Sequence, residues 1–171
     1  MEDTVVPLFF NSYLYQPKDP HIRNGFMEIL PVAFSNVKPQ SHLYISTLAV
    51  AFFSVAAWTG QGCLLRASEQ YFTQALPKIR ESLLDENSDL DSILLSILLL
   101  STYEVRQYHF HPLAKFELTI FKEFVALKDS EDPVKAHLRG AVALINNRKP
   151  KRLQTAESKT IDNAVQTQIV S

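Results

Sequence analysis

With 171 residues, 46% of them hydrophobic and 20% charged, the chain has the composition of one globular domain with a real core and is too short for two ordinary ones. A formal net charge of -1 excludes a protein whose whole surface binds nucleic acid, so any basic function must be local. A lone cysteine, Cys63, excludes an internal disulfide and a cysteine-based zinc site and suits a reducing intracellular compartment. Only 4 glycines occur, which leaves little material for hairpin turns and favours helices.

Met1–Thr4 carries Glu2 and Asp3 rather than the basic head of a secretory signal. Glu2–Pro17, with Phe9, Phe10, Tyr13, Leu14 and Tyr15 between two prolines, predicts a short helix or extended arm laid on the core. His21–Phe34 sets Ile22, Phe26, Ile29 and Leu30 on one helical face, and Pro31 is expected to kink or end it. After the Lys38-Pro39 loop, Ser41 is the expected cap of a long apolar helix, Leu43–Trp58. No Asp, Glu, Lys or Arg stands between Lys38 and Arg66, so this helix has two readings, a membrane span or the central helix of a bundle. Ser46, Thr47, Ser54 and four alanines, which permit close helix approach, together with sparse basic flanks, favour the second reading, with no membrane partner.

Thr59–Gly62 reads as the stop and turn that follow. Cys63–Glu86 is helical in pattern but interrupted at Pro77, predicting a kink near Thr73 or two helices. Asn87-Ser88 with Asp89 and Asp91 supplies a capping hydroxyl and early carboxylates for Leu90–Tyr108. Its run Ile93–Leu100 is apolar on nearly every side, and Tyr108–Pro112 closes it. Leu113–Leu127 carries the stripe Phe116, Ile120, Phe124 and Leu127. Asp132–Lys149 reads as a capped, packed helix, and Thr155–Val170, with Ile161, Val165 and Ile169 four apart, as a last marginal one. The sum is an all-α array of roughly seven antiparallel helices in one domain spanning residues 1–171.

The chemistry-bearing residues are few. His109-x-His111, with His42, Cys63, Glu104 and His137, could be assembled into a metal set, but two histidines in a loop before a proline are ordinarily solvated or cap a helix end. No metal ligand set and no cofactor are expected. G-x-S-x-G, a phosphate-binding glycine loop and H-E-x-x-H are all absent from the sequence, and the paired acids Asp85-Glu86, Asp89/Asp91 and Glu131-Asp132 flank predicted helix ends. The chain therefore reads as a non-enzyme with no catalytic residue. Arg148, Lys149, Lys151 and Arg152 form the densest charge cluster, either a nuclear localisation signal or a complement to the preceding helix end. It is too small for a nucleic-acid surface, so no direct DNA binding is expected. Within Asp132–Lys149, Gly140 is expected to permit close approach of Leu94–Tyr103, Arg139 to meet a carboxylate such as Glu104, and His137 to be a half-buried, satisfied polar group.

His137-Leu138-Arg139-Gly140-Ala141, followed by Leu144 and Arg148, resembles a segment in the regulatory region of fungal-specific transcription factors, proteins that usually carry a binuclear zinc cluster. Ile97–Val105 is similar to that family's apolar helix ending in a Tyr-Glu pair, here Tyr103 and Glu104. Asp19–Arg23 with Ile29-Leu30-Pro31 looks like the start of the same region, and Ala164–Ser171 resembles a later helix. The resemblance implies an all-helical regulatory domain, a nuclear setting, and transcriptional control through protein partners or a small effector.

Four departures stand beside it. A zinc cluster needs six cysteines and Cys63 stands alone; Val134 and Lys135 occupy a neighbourhood where an aromatic is common; Lys149 stands where glycine commonly follows the arginine; and His109–Ser130 looks longer than the usual connection. The family region usually continues past Ser171, so the chain is expected to be an incomplete regulatory domain. A groove between Leu43–Trp58 and Leu90–Tyr108 is the expected seat of a partner helix or ligand. The alternative is a non-catalytic helical scaffold that could pair with a second copy through uncovered apolar surface.

Overall fold

The computed structural model describes residues 1–13, 25–85, 87–110, 139–143, 145–146 and 155–170. Among the described residues there are helices and no strand, as the composition and periodicity predict. α1 (Glu2–Leu8) opens with Glu2 and Asp3 in its first turn, where carboxylates complement the exposed amides of a helix start. Pro7 cannot continue the ordinary bonding pattern, and the chain runs on as a π-helical turn at Phe9–Tyr13. Val5 and Phe9 are buried, so this end of the chain is laid on the core.

A 3-10 turn at Gly25–Glu28 precedes α2 (Leu30–Asn36). Pro31 sits in the first turn of α2 and starts the helix, where the sequence pattern predicts a kink or an end. The missing N–H of proline is harmless at that position and its fixed φ suits it. α3 (His42–Thr59) begins at Ser41, whose hydroxyl accepts from the Tyr44 amide at 3.3 Å. It stops at Gly60, whose φ of 69° is open to glycine at little cost and lets its amide bond Ala56 O at 2.8 Å.

α4 (Gly62–Leu84) follows after a turn of two residues, so α3 and α4 form a helical hairpin. Pro77 lies inside α4 without dividing it into two helices. Ala75 and Ile79, on either side of the proline, are both buried, and their packing carries the helix through a position that propensity alone would break. α5 (Leu90–Phe110) is capped by Asp89 rather than by Ser88, with the Asp91 and Ser92 amides donating to its two carboxylate oxygens at 3.2 Å each. α6 (Ala156–Val170) buries Ile161 and Val165 and packs against α5 and the Gly25–Glu28 turn.

The core lies where α3, α4 and α5 meet. α3 is buried on every side from Ile45 to Ala56, and Ile93, Leu94, Leu95, Leu98 and Leu99 of the facing α5 complete a wall that is closed to solvent. Two hydroxyls inside this layer are satisfied by their own helices, Thr47 donating to Leu43 O at 2.8 Å and Ser101 to Ile97 O at 2.9 Å, whereas Ser46 Oγ and Ser54 Oγ of α3 are buried with no hydrogen-bond partner among the described residues. By length and composition α3 could cross a membrane, yet 72% of that window is buried inside the array, where packing accounts for its apolarity. The predicted helix Leu113–Leu127 lies outside the described residues, as does the first part of Asp132–Lys149; residues 139–143 and 145–146 are helical.

Candidate functional site

Among the described residues, three polar contacts between helices and a cleft at the α3–α4 turn stand out from the apolar packing. At the first, the Glu2 carboxylate on α1 accepts from Tyr44 Oη on α3 at 2.8 Å and from Tyr71 Oη on α4 at 2.6 Å. Tyr44 also stacks on Phe34 at 5.0 Å, and Phe34 meets Phe10 at 5.4 Å, so the N-terminal segment is held by one charged acceptor and a short aromatic row. The bond to Glu2 raises the Tyr44 pKa; burial, then the same bond, raises that of Tyr71.

At the second station His42 Nδ1 lies 2.9 Å from Ser96 Oγ, with Asp89 nearby. A histidine, a serine and an aspartate in one place invite a catalytic reading, but Ser92 O, 2.8 Å from Ser96 Oγ, draws the same hydroxyl proton, and with Ser96 donating there the His42 ring, in the tautomer protonated at Nδ1, donates to Ser96. Burial lowers the His42 pKa, with Asp89 pulling the other way. His42 thus joins the start of α3 to α5 as a structural donor.

The third station ties α6 to α5. Thr155 caps α6, accepting from the Ser158 amide at 3.1 Å, and its hydroxyl lies 3.0 Å from Ser158 Oγ. Ser158 Oγ, itself buried, donates to Asp91 Oδ2 in the first turn of α5. The cleft lies at the α3–α4 turn. It offers about 230 Å³ between Phe53, Ala56, Ala57, Gly60, Gln61, Gly62 and Leu65. Trp58, near the end of α3, is 70% exposed. The faces of α3 and α5 that the sequence reading leaves as a groove pack against each other.

The sequence model of the family described as "Fungal specific transcription factor domain" matches residues 2–170. The chain belongs to that family. No curated protein and no solved structure is significantly similar to it.

Membership in the fungal transcription factor domain family points to transcription regulation and to a non-enzymatic regulator. Of the residues that carry the resemblance, Tyr103 is placed most tellingly: it is 1% exposed, stacks on Phe72 of α4 at 4.7 Å and meets Phe53 of α3 at 5.0 Å. Its ring therefore joins α3, α4 and α5, and its hydroxyl lies 3.4 Å from Ser68 Oγ. Glu104 beside it is buried. Ala141 is buried in the core with Ile145, as the helical spacing predicts.

Gly140 corrects its sequence reading. It is exposed, and no atom of the described residues lies within 4 Å of the place a Cβ would occupy, so close approach of Leu94–Tyr103 is not its role there. The periodicity puts Ala141, one position on, at the packed face. Arg139 is exposed. His137, Leu138 and the basic residues Arg148, Lys149, Lys151 and Arg152 lie outside the described residues, as do His111 and the side chain of His109. Among the described residues no group of three His, Cys, Asp or Glu side chains could hold a metal ion. The contacts of Glu2 with Tyr44 and Tyr71, of His42 with Ser96 and of Ser158 with Asp91 escaped the sequence reading because the partners stand 42 and 69, 54, and 67 residues apart.

Proposed function

We propose that the domain regulates transcription in the nucleus by contact, presenting a helical surface to a protein partner, with no catalytic step, no cofactor and no direct hold on DNA. The family match over residues 2–170 carries this reading. At the α3–α4 cleft a protein side chain fits better than a small effector, since about 230 Å³ lies below the roughly 300–1,000 Å³ of small-molecule sites. It suits one aromatic or aliphatic side chain, and Trp58, exposed near the end of α3, is the kind of residue that dominates protein interfaces. Arg148, Lys149, Lys151 and Arg152 supply the import signal.

The test fuses the chain to a fluorescent tag and, separately, to a foreign DNA-binding domain upstream of a reporter gene. Nuclear accumulation that fails when the four basic residues become alanine, and reporter output that changes with the fusion and reverts with Trp58→Ala or Ala57→Arg, is the expected result. A tagged chain that stays in the cytoplasm, with no transcript altered by deletion of its gene, contradicts the proposal.

A further inference from the structure

The hydrogen-bond chain at the start of α6 has a fixed direction. Ser158 has one hydroxyl proton, and it goes to Asp91 Oδ2; the contact of 3.0 Å between Thr155 Oγ1 and Ser158 Oγ must then be donated by Thr155. The order is Thr155 O–H to Ser158 O–H to the Asp91 carboxylate, a relay in which each bond polarises the next. Ser158 is buried, whereas Thr155, which carries the outermost hydroxyl of the relay, is an exposed residue. In the sequence Arg152 stands three positions before Thr155, at the end of the basic run Arg148–Arg152. Basic-directed protein kinases carry acidic substrate clefts that receive an arginine at that distance from the acceptor hydroxyl.

We propose that Thr155 is a phosphorylation site for a basic-directed protein kinase, and that its phosphorylation releases the clasp between α6 and α5. Thr155 Oγ1 attacks the γ-phosphorus of ATP, forming the O–P bond as the bond to the β,γ-bridging oxygen breaks. ADP leaves and the hydroxyl proton passes to the base of the kinase. The product lacks the proton that Thr155 gave to Ser158 and carries a charge of about -1.5 to -2 one hydroxyl away from Asp91. Ser158 then serves one of two anions. If it turns to the phosphate, Asp91 loses the Ser158 donor; if it stays with Asp91, the phosphate faces a carboxylate.

Either outcome weakens the tie to α5. The α6 helix itself survives, because a phosphate at a helix N-terminus is favoured by the exposed amides there. Phosphorylation therefore loosens docking while helical content is kept, and Ile161 and Val165 leave the core. The inference rests on the regulatory reading only for its use in the cell; its chemistry is independent of where the chain resides.

The experiment treats the purified full chain with ATP and the catalytic subunit of a basic-directed kinase, beside a free peptide of residues 148–160. The phosphorylated residue is located by mass spectrometry and amide hydrogen exchange is followed in α6. Phosphate on Thr155 in both chain and peptide is expected, lost in Thr155→Ala, restored on serine in Thr155→Ser, and reduced at least about tenfold by Arg152→Ala, the worth of one charge-assisted contact. In the phosphorylated chain α6 amides exchange at least about tenfold faster while α3 and the far-ultraviolet circular dichroism are unchanged, and Asp91→Asn blunts the acceleration. Phosphate on neither substrate, or on the peptide alone, overturns the site. Phosphate on Thr155 with α6 exchange unchanged overturns the clasp.

Discussion

α3 and the two end helices are held in place by different physics. From Ile45 to Ala56 α3 is buried on all sides, so its position is set by apolar area, which is strong and has no direction. Among the described residues α1 buries Val5 fully and Val6 and Leu8 partly, with Phe9 in the turn after it, and α6 buries Ile161 and Val165 fully and Ala164 partly, against twelve consecutive buried residues in α3. Each adds one polar clasp at its N-terminal end, Glu2 with Tyr44 and Tyr71, and Thr155 with Ser158 and Asp91. A hydrogen bond is directional and sensitive to charge, so the ends can be switched by chemistry that leaves α3 untouched.

Substitutions separate the two regimes by size. Leu48→Ala, at a fully buried position of α3, is expected to cost ~3–5 kcal/mol in a urea melt of the whole chain, because the void cannot collapse between helices packed on every side. Ile161→Ala in α6 is expected to cost about 2 kcal/mol, the low end of the range, since a peripheral helix can shift to close the gap. A cost for Ile161→Ala equal to that for Leu48→Ala would erase the distinction. Glu2→Ala removes the shared acceptor of two phenols and is expected to cost ~1–2 kcal/mol, with exchange accelerated in α1 first.

Gly140→Ala should act in the other direction. With open space around the position and a helical backbone, the alanine is expected to stabilise by about 0.5–1 kcal/mol, read as a higher thermal midpoint. The smallest effect is a pH slope. The His42 pKa is lowered in the folded chain, so the unfolded chain takes up its proton first as pH falls below 6.5, and stability present above that pH is lost toward the lower folded value. His42→Asn, which keeps a donor where Nδ1 stands, is expected to flatten that part of the pH profile of the urea midpoint.

Which features were legible in the sequence follows from how local their causes are. The ends of α3 are written in Ser41 and Gly60, because a cap and a left-handed stop need only the next few residues. Pro31 was ambiguous for the same reason: a proline can close one helix or open the next, and the 3-10 turn before it is a packing outcome. Ser88 and Asp89 both had capping chemistry, and only the backbone path into Leu90 chose the carboxylate. Tyr103 could be read as a family landmark, yet its role as the ring joining three helices depends on Phe53 and Phe72, which stand 50 and 31 residues earlier. The clasps were the least legible, since no local pattern states that Tyr71 will meet Glu2 or that Ser158 will meet Asp91.

Native-state amide hydrogen exchange of the unmodified chain tests the central distinction most directly. α3 and α5 are expected to exchange only through global unfolding, while α1 and α6 open at lower free energy and independently of each other. Amides of α6 that exchange only with those of α3, at the same free energy and denaturant dependence, would contradict it.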